Sequence, residues 1–93
     1  MNSKQEEILN ITQEECGELI QVISKVRRFG IDEIHLKDRI PNRQRLAEEI
    51  GDVACMIQLL VEFGIVDVEA VESAMQKKVE KLKVWSNIYV DGN

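Results

Sequence analysis

The chain has 93 residues, 17 acidic and 12 basic, with a formal net charge of −5. That length holds one domain with a modest core, and the acidic balance argues against nonspecific nucleic-acid binding. Residues 1–7 are polar and no apolar run follows, so no signal peptide is expected, and no stretch is long and uncharged enough to span a membrane.

With 44% hydrophobic residues, five Gly, one Pro and no alternating β-branched runs, the sequence predicts an all-α chain. The first helix is expected from about residue 4 to Phe29, opened by a capping box in Ser3-Lys4-Gln5-Glu6 and stopped by Gly30. Lys25, Arg27 and Arg28 fall in its last turn, where cations suit the helix dipole. At 100° per residue, Ile8, Ile11, Leu19, Val22, Val26 and Phe29 form one apolar face. Glu15 projects into the middle of that face, Glu18 lies at its edge, and Glu14 points further out.

Residues 31–42 form the least regular segment, with room for a short helical turn before Pro41 interrupts it. Segments of this kind often serve as binding loops or lids. His35, the sole histidine, has no partner motif and reads as a loop residue. Asn42 is the expected N-cap of a second helix over about 43–63, ended by Gly64. Its main stripe is Leu46, Ile50, Val53, Ala54, Ile57 and Val61, flanked by Glu49 and Asp52. From Val53 to Val61 it is apolar almost all round, which predicts burial on more than one side and places Asp52 away from bulk water. Gly17 and Gly51 hold matching places in the two acidic clusters and suggest close approach of a helix or a substrate.

Asp67 is the expected cap of a third helix, about 68–86, with a stripe of Val68, Val71, Met75, Val79, Leu82 and Trp85. Lys77 and Lys81, spaced i,i+4, share one side of it. In the tail, 87–93, Ile88, Tyr89 and Val90 are expected to dock on a neighbour. Cys16 and Cys55 lie mid-helix and are expected to be buried, reduced thiols of a cytoplasmic protein; no Cys/His zinc spacing accompanies them. Three helices cannot cover a central helix that is apolar all round, so a partner chain is expected.

Carboxylates set against apolar faces are costly, and four together repel each other. A hard divalent cation removes both costs, and i,i+3 pairs on two facing helices aim two carboxylates each at one point. Glu15, Glu18, Glu49 and Asp52 are therefore the expected metal ligands. The competing reading is a helical oligomerisation or regulatory module whose acids pair with Lys and Arg.

Glu14-Glu15-x-x-Glu18 followed by Glu49-x-x-Asp52, the latter within Leu46-Ala47-Glu48-Glu49-Ile50-Gly51-Asp52-Val53, resembles the MazG-like all-α nucleotide pyrophosphohydrolases. The resemblance runs to about Trp85 and implies one such domain over 1–93, with 31–42 as connecting loop. It implies a helical bundle completed by oligomerisation, as a dimer or tetramer. The activity implied is Mg²⁺-dependent hydrolysis of a (deoxy)nucleoside triphosphate to monophosphate and pyrophosphate, with Mn²⁺ able to substitute, in nucleotide-pool sanitation or control. On this reading Glu14 or Glu48 helps activate water, and Lys77 and Lys81 stand near the basic residues that contact the triphosphate. Lysine at the second of these positions departs from the common arginine. So does the 30-residue link between Glu18 and Glu49, and the chain looks trimmed at both ends. Phosphoribosyl-ATP pyrophosphohydrolase is a second reading within the superfamily, which the sequence after Asp52 fits less well.

Overall fold

Asn2, and not Ser3, opens the first helix. In the computed structural model, which describes residues 1–91, the Asn2 side chain accepts from the Gln5 backbone N–H at 2.8 Å. The Gln5 side chain accepts from the Asn2 N–H at 3.0 Å, so the expected capping box exists one residue earlier. Helix α1 then runs Ser3–Phe29, α2 Asn42–Glu62 and α3 Val68–Trp85, with no strand among the described residues. The chain is all-α.

Pro41 occupies the N-cap of α2 and offers no side-chain cap. The loop supplies what a cap would. The Asn42 N–H donates to the Glu33 carbonyl at 2.9 Å and the Arg43 N–H to the Ile31 carbonyl at 2.8 Å. With its first N–H groups satisfied by loop carbonyls, the helix leaves the Asn42 side chain free for another use. That side chain is buried and donates from Nδ2 to the Gly30 carbonyl at 2.9 Å. The loop itself holds turns and an antiparallel bridge between Ile34 and Pro41, with no helical turn. Salt bridges Arg43–Asp32 and Arg45–Asp38 tie it to the first turns of α2. Gly30, at φ 105°, makes the exit from α1 that a side chain would strain.

The helices α1 and α2 pack as an antiparallel hairpin clamped at both ends. At the loop end the clamp is Asn42 on Gly30. At the open end Gln5 Nε2 donates to the Phe63 carbonyl at 2.9 Å. Two hydrogen bonds near opposite ends of the hairpin help to hold its register. The buried positions are Ile8 and Val22 of α1 and Met56 and Asn42 of α2. On α2, burial therefore follows Asn42, Glu49, Val53 and Met56, whereas the expected stripe residues Ile50 and Ile57 face outward, 51% and 44% exposed.

Asp67 caps α3 as expected, its carboxylate accepting from the Ala70 N–H at 3.2 Å. Past this turn α3 leaves the hairpin and contacts it scarcely at all, and no residue of α3 is buried. The chain measures 41 × 39 × 14 Å. The chain is thin in one direction and spread in the other two, because α3 projects away from the hairpin instead of packing on it. This open arrangement leaves apolar faces uncovered. Met75, Val84 and Trp85 on α3 and Ile20 on α1 are exposed, as are Ile88, Tyr89 and Val90 after α3. Residues 92–93 of the expected tail lie outside the described residues. Cys16 and Cys55 are free and exposed in this chain, contrary to the expected burial, because both point off the hairpin interface.

Candidate metal centre

The clamped register brings the two acidic clusters opposite each other at mid-hairpin. Glu15 lies between Ile8 and Val22 on the buried stripe of α1, and Glu49 lies between Asn42 and Met56 on that of α2. One carboxylate oxygen from each of Glu15, Glu18 and Glu49 lies within 4.8 Å of the others. Glu15 and Glu49 are half-buried and Glu18 is exposed. Asp52 is close enough to act on both buried carboxyls by its charge but is itself exposed in the single chain. The expectation that Asp52 is shielded from water is therefore not met here, since no element covers the outer side of α2.

The electrostatics are those of an unneutralised site. Burial pushes the Glu15 carboxyl above its ordinary value, and the negative charges of Glu18 and Asp52 push it further. Burial likewise raises Glu49, followed by the charges of Glu18, Asp52 and Glu15. Oε2 of Glu15 and Oε2 of Glu49 are both shut off from solvent with no hydrogen-bond partner. Among the described residues, none of the four acids pairs with a lysine or arginine. Acids held in structural salt bridges would show such partners. Two orphaned buried oxygens beside a third carboxylate are instead a donor set suited to a hard cation.

Glu14 and Glu48 stand next to the cluster in sequence and are exposed. Gln44 Nε2 donates to Glu48 Oε2 at 3.5 Å, a long contact one helical turn away. Lys77 and Lys81 are exposed on α3 and make no ion pair among the described residues. Because α3 stands clear of the hairpin, the structure does not bring them to the carboxylates of their own chain. A Cβ added at Gly17 or Gly51 would meet nothing within 4 Å, so neither glycine serves a close approach within the chain. The two clamps, Gln5 and Asn42, escaped sequence reading: one lies inside the capping box and the other looks like an ordinary cap.

An α-hairpin that turns carboxylates inward from both helices is a candidate carboxylate metal site of the kind helix bundles build. Residues 3–84 match the MazG nucleotide pyrophosphohydrolase domain, and the chain belongs to that family. Membership supports nucleotide pyrophosphohydrolase activity in general, within a family whose members are typically metal-dependent. No curated protein and no solved structure matches the chain. No helix among the described residues is long and apolar enough to cross a membrane.

Proposed function

We propose that the chain is a single-domain, cytoplasmic enzyme that hydrolyses (deoxy)nucleoside triphosphates to monophosphate and pyrophosphate in nucleotide-pool sanitation or control. The observation that carries this reading is the pair of orphaned carboxylate oxygens on Glu15 and Glu49, beside Glu18, at the centre of the hairpin. Glu15, Glu18, Glu49 and Asp52 would hold Mg²⁺, with Mn²⁺ able to substitute. The bound ion would grip phosphate oxygens and stabilise the charge that develops on them.

The chain's own residues supply the rest. Glu14 or Glu48, each adjacent to a metal ligand, takes a proton from the attacking water. The water oxygen bonds to the α-phosphorus, the bond from that phosphorus to the bridging oxygen breaks, and pyrophosphate leaves with the bridging oxygen. Lys77 and Lys81 offer two exposed ammonium groups on one side of α3 for the triphosphate. Since α3 does not reach its own hairpin, they would serve the site of a second copy. A dimer or tetramer would also cover the apolar side chains left exposed on α3 and the hairpin.

The test is a panel of ribo- and deoxynucleoside triphosphates assayed for pyrophosphate release with Mg²⁺, with Mn²⁺ and with chelator. Turnover of at least one nucleotide, lost on chelation, is expected. A full panel without pyrophosphate release would remove the proposal. Lys77→Ala and Lys81→Ala are expected to raise KM or lower kcat without unfolding, because alanine suits both helical positions.

A further inference from the structure

The loop end of the hairpin carries a pocket of about 260 Å³ between the end of α1, the start of α2 and the connecting loop. Its apolar surface comes from Phe29, Ile34 and Leu36, and its polar groups are Lys25, Glu33, His35 and the clamp residue Asn42. Ile34 is 57% and Leu36 95% exposed, so a loop otherwise tied down by hydrogen bonds and ion pairs presents apolar side chains to solvent. An ordered loop that holds apolar side chains in the open offers a platform for a flat apolar ligand.

The position of the pocket relative to the carboxylates is fixed by both helices. Lys25 follows Glu18 by seven residues on α1, and Asn42 precedes Glu49 by seven residues on α2. Seven residues are close to two full turns, so each pair lies on one face, about 10.5 Å apart along its axis. Because the helices are antiparallel, the two offsets point the same way. Pocket and carboxylates therefore share one side of the hairpin, with two turns of helix between them.

We propose that this pocket receives the base and sugar of the nucleotide whose phosphates lie at the carboxylates, and that it sets which base is accepted. The inference rests on the proposed triphosphate chemistry of the carboxylate site. A nucleotide has the matching layout: an anionic end, a sugar, and a flat ring with polar edges. Its volume suits one base with part of its sugar and is smaller than the ~300 Å³ at which drug-sized sites begin. The edge of the base meets both donors and an acceptor, the Glu33 carboxylate. Nδ1 of His35 faces the Lys37 backbone N–H at 3.4 Å, which leaves Nε2 as the ring nitrogen without a partner in that turn. Nε2 of His35 and the ammonium of Lys25 then offer hydrogen bonds to the edge of a base or the hydroxyls of a sugar.

Calorimetric binding of the nucleoside triphosphate panel and of inorganic tripolyphosphate, all with Mg²⁺, separates the two ends of the site. Wild type is expected to bind its preferred nucleotides at least tenfold more tightly than tripolyphosphate. Phe29→Ala is expected to erase that margin while tripolyphosphate binding stays within twofold of wild type. His35→Ala is expected to reorder the preference among bases, again sparing tripolyphosphate. Both variants fold if their helical signal and melting match wild type; Phe29 is 55% exposed and His35 lies on the loop. Unchanged nucleotide preference in both variants overturns the pocket assignment and leaves the carboxylate chemistry standing. Wild type that binds neither tripolyphosphate nor any nucleotide overturns both.

Discussion

The hairpin and α3 are built from equally amphipathic sequence, yet one is packed and the other is not. Between α1 and α2, a hydrogen bond near each end helps to hold the register, and the sparse buried side chains lie along their seam. The third helix has a proper cap and an apolar stripe, but it touches almost nothing, and Met75 is 64% exposed. The difference teaches where this chain is self-sufficient. Its carboxylate site is positioned by contacts within one copy. Its third helix has local order without a partner surface, and a helix gains most of its stability from packing such a face.

The sharpest way to test the hairpin's share is at the carboxylates. Glu15→Gln and Asp52→Asn are expected to lower pyrophosphohydrolase activity by orders of magnitude. Without metal, both variants should melt no lower than wild type, because each removes a like charge from the cluster. Added Mg²⁺ should raise the Tm of wild type more than that of either variant, since the ion binds only the folded state. Lower melting with an unaltered Mg²⁺ response and retained turnover would return these acids to structural salt bridging.

The α3 side breaks differently. Met75→Glu places a charge on a side chain that is exposed in the single chain, so the isolated fold should tolerate it. If a second copy covers this face, light scattering should show the variant dissociating toward monomer while wild type stays dimeric or larger. Wild type that is a stable monomer at micromolar concentration would end the idea that α3 completes a partner's site.

A smaller effect is expected from the register clamp. Asn42→Ala removes the hydrogen bond to the Gly30 carbonyl from a buried position and should cost about 1–3 kcal/mol in denaturant unfolding. An unchanged midpoint would mean that the loop's other ties hold the hairpin end without it.

The smallest is a pH slope. The raised Glu15 and Glu49 carboxyls hold their protons to a higher pH in the folded state than in the unfolded chain. The stability this gives is fully present below the ordinary carboxylate value and is lost as pH rises through the raised values. In chelator, the melting advantage of Glu15→Gln over wild type should therefore widen as pH rises through that window. A gap independent of pH would mean that Glu15 ionises as freely as an exposed carboxylate.

The sequence legibly carried the three helices, within a residue at every end, because apolar spacing and end signals such as Asp67, Gly30 and Gly64 act locally. It also carried the central place of Glu15, since a charge inside an apolar stripe is visible on a helical wheel. Which face of α2 meets α1 was less legible. Apolar residues surround that helix, so periodicity favoured Ile50 and Ile57, whereas packing buried Met56 and turned those two outward. Asn42 looked like a cap because its residue type and its place after a proline say so. Only the folded loop, by lending the carbonyls of Ile31 and Glu33 to the helix start, made it a clamp. Local propensity and charge are properties of residues and their near neighbours, and the sequence by itself determined what depends on them. The meeting of Glu15 and Glu18 with Glu49 across the hairpin, and the pocket two turns away, depend on the register between distant segments, and only the tertiary structure decided that.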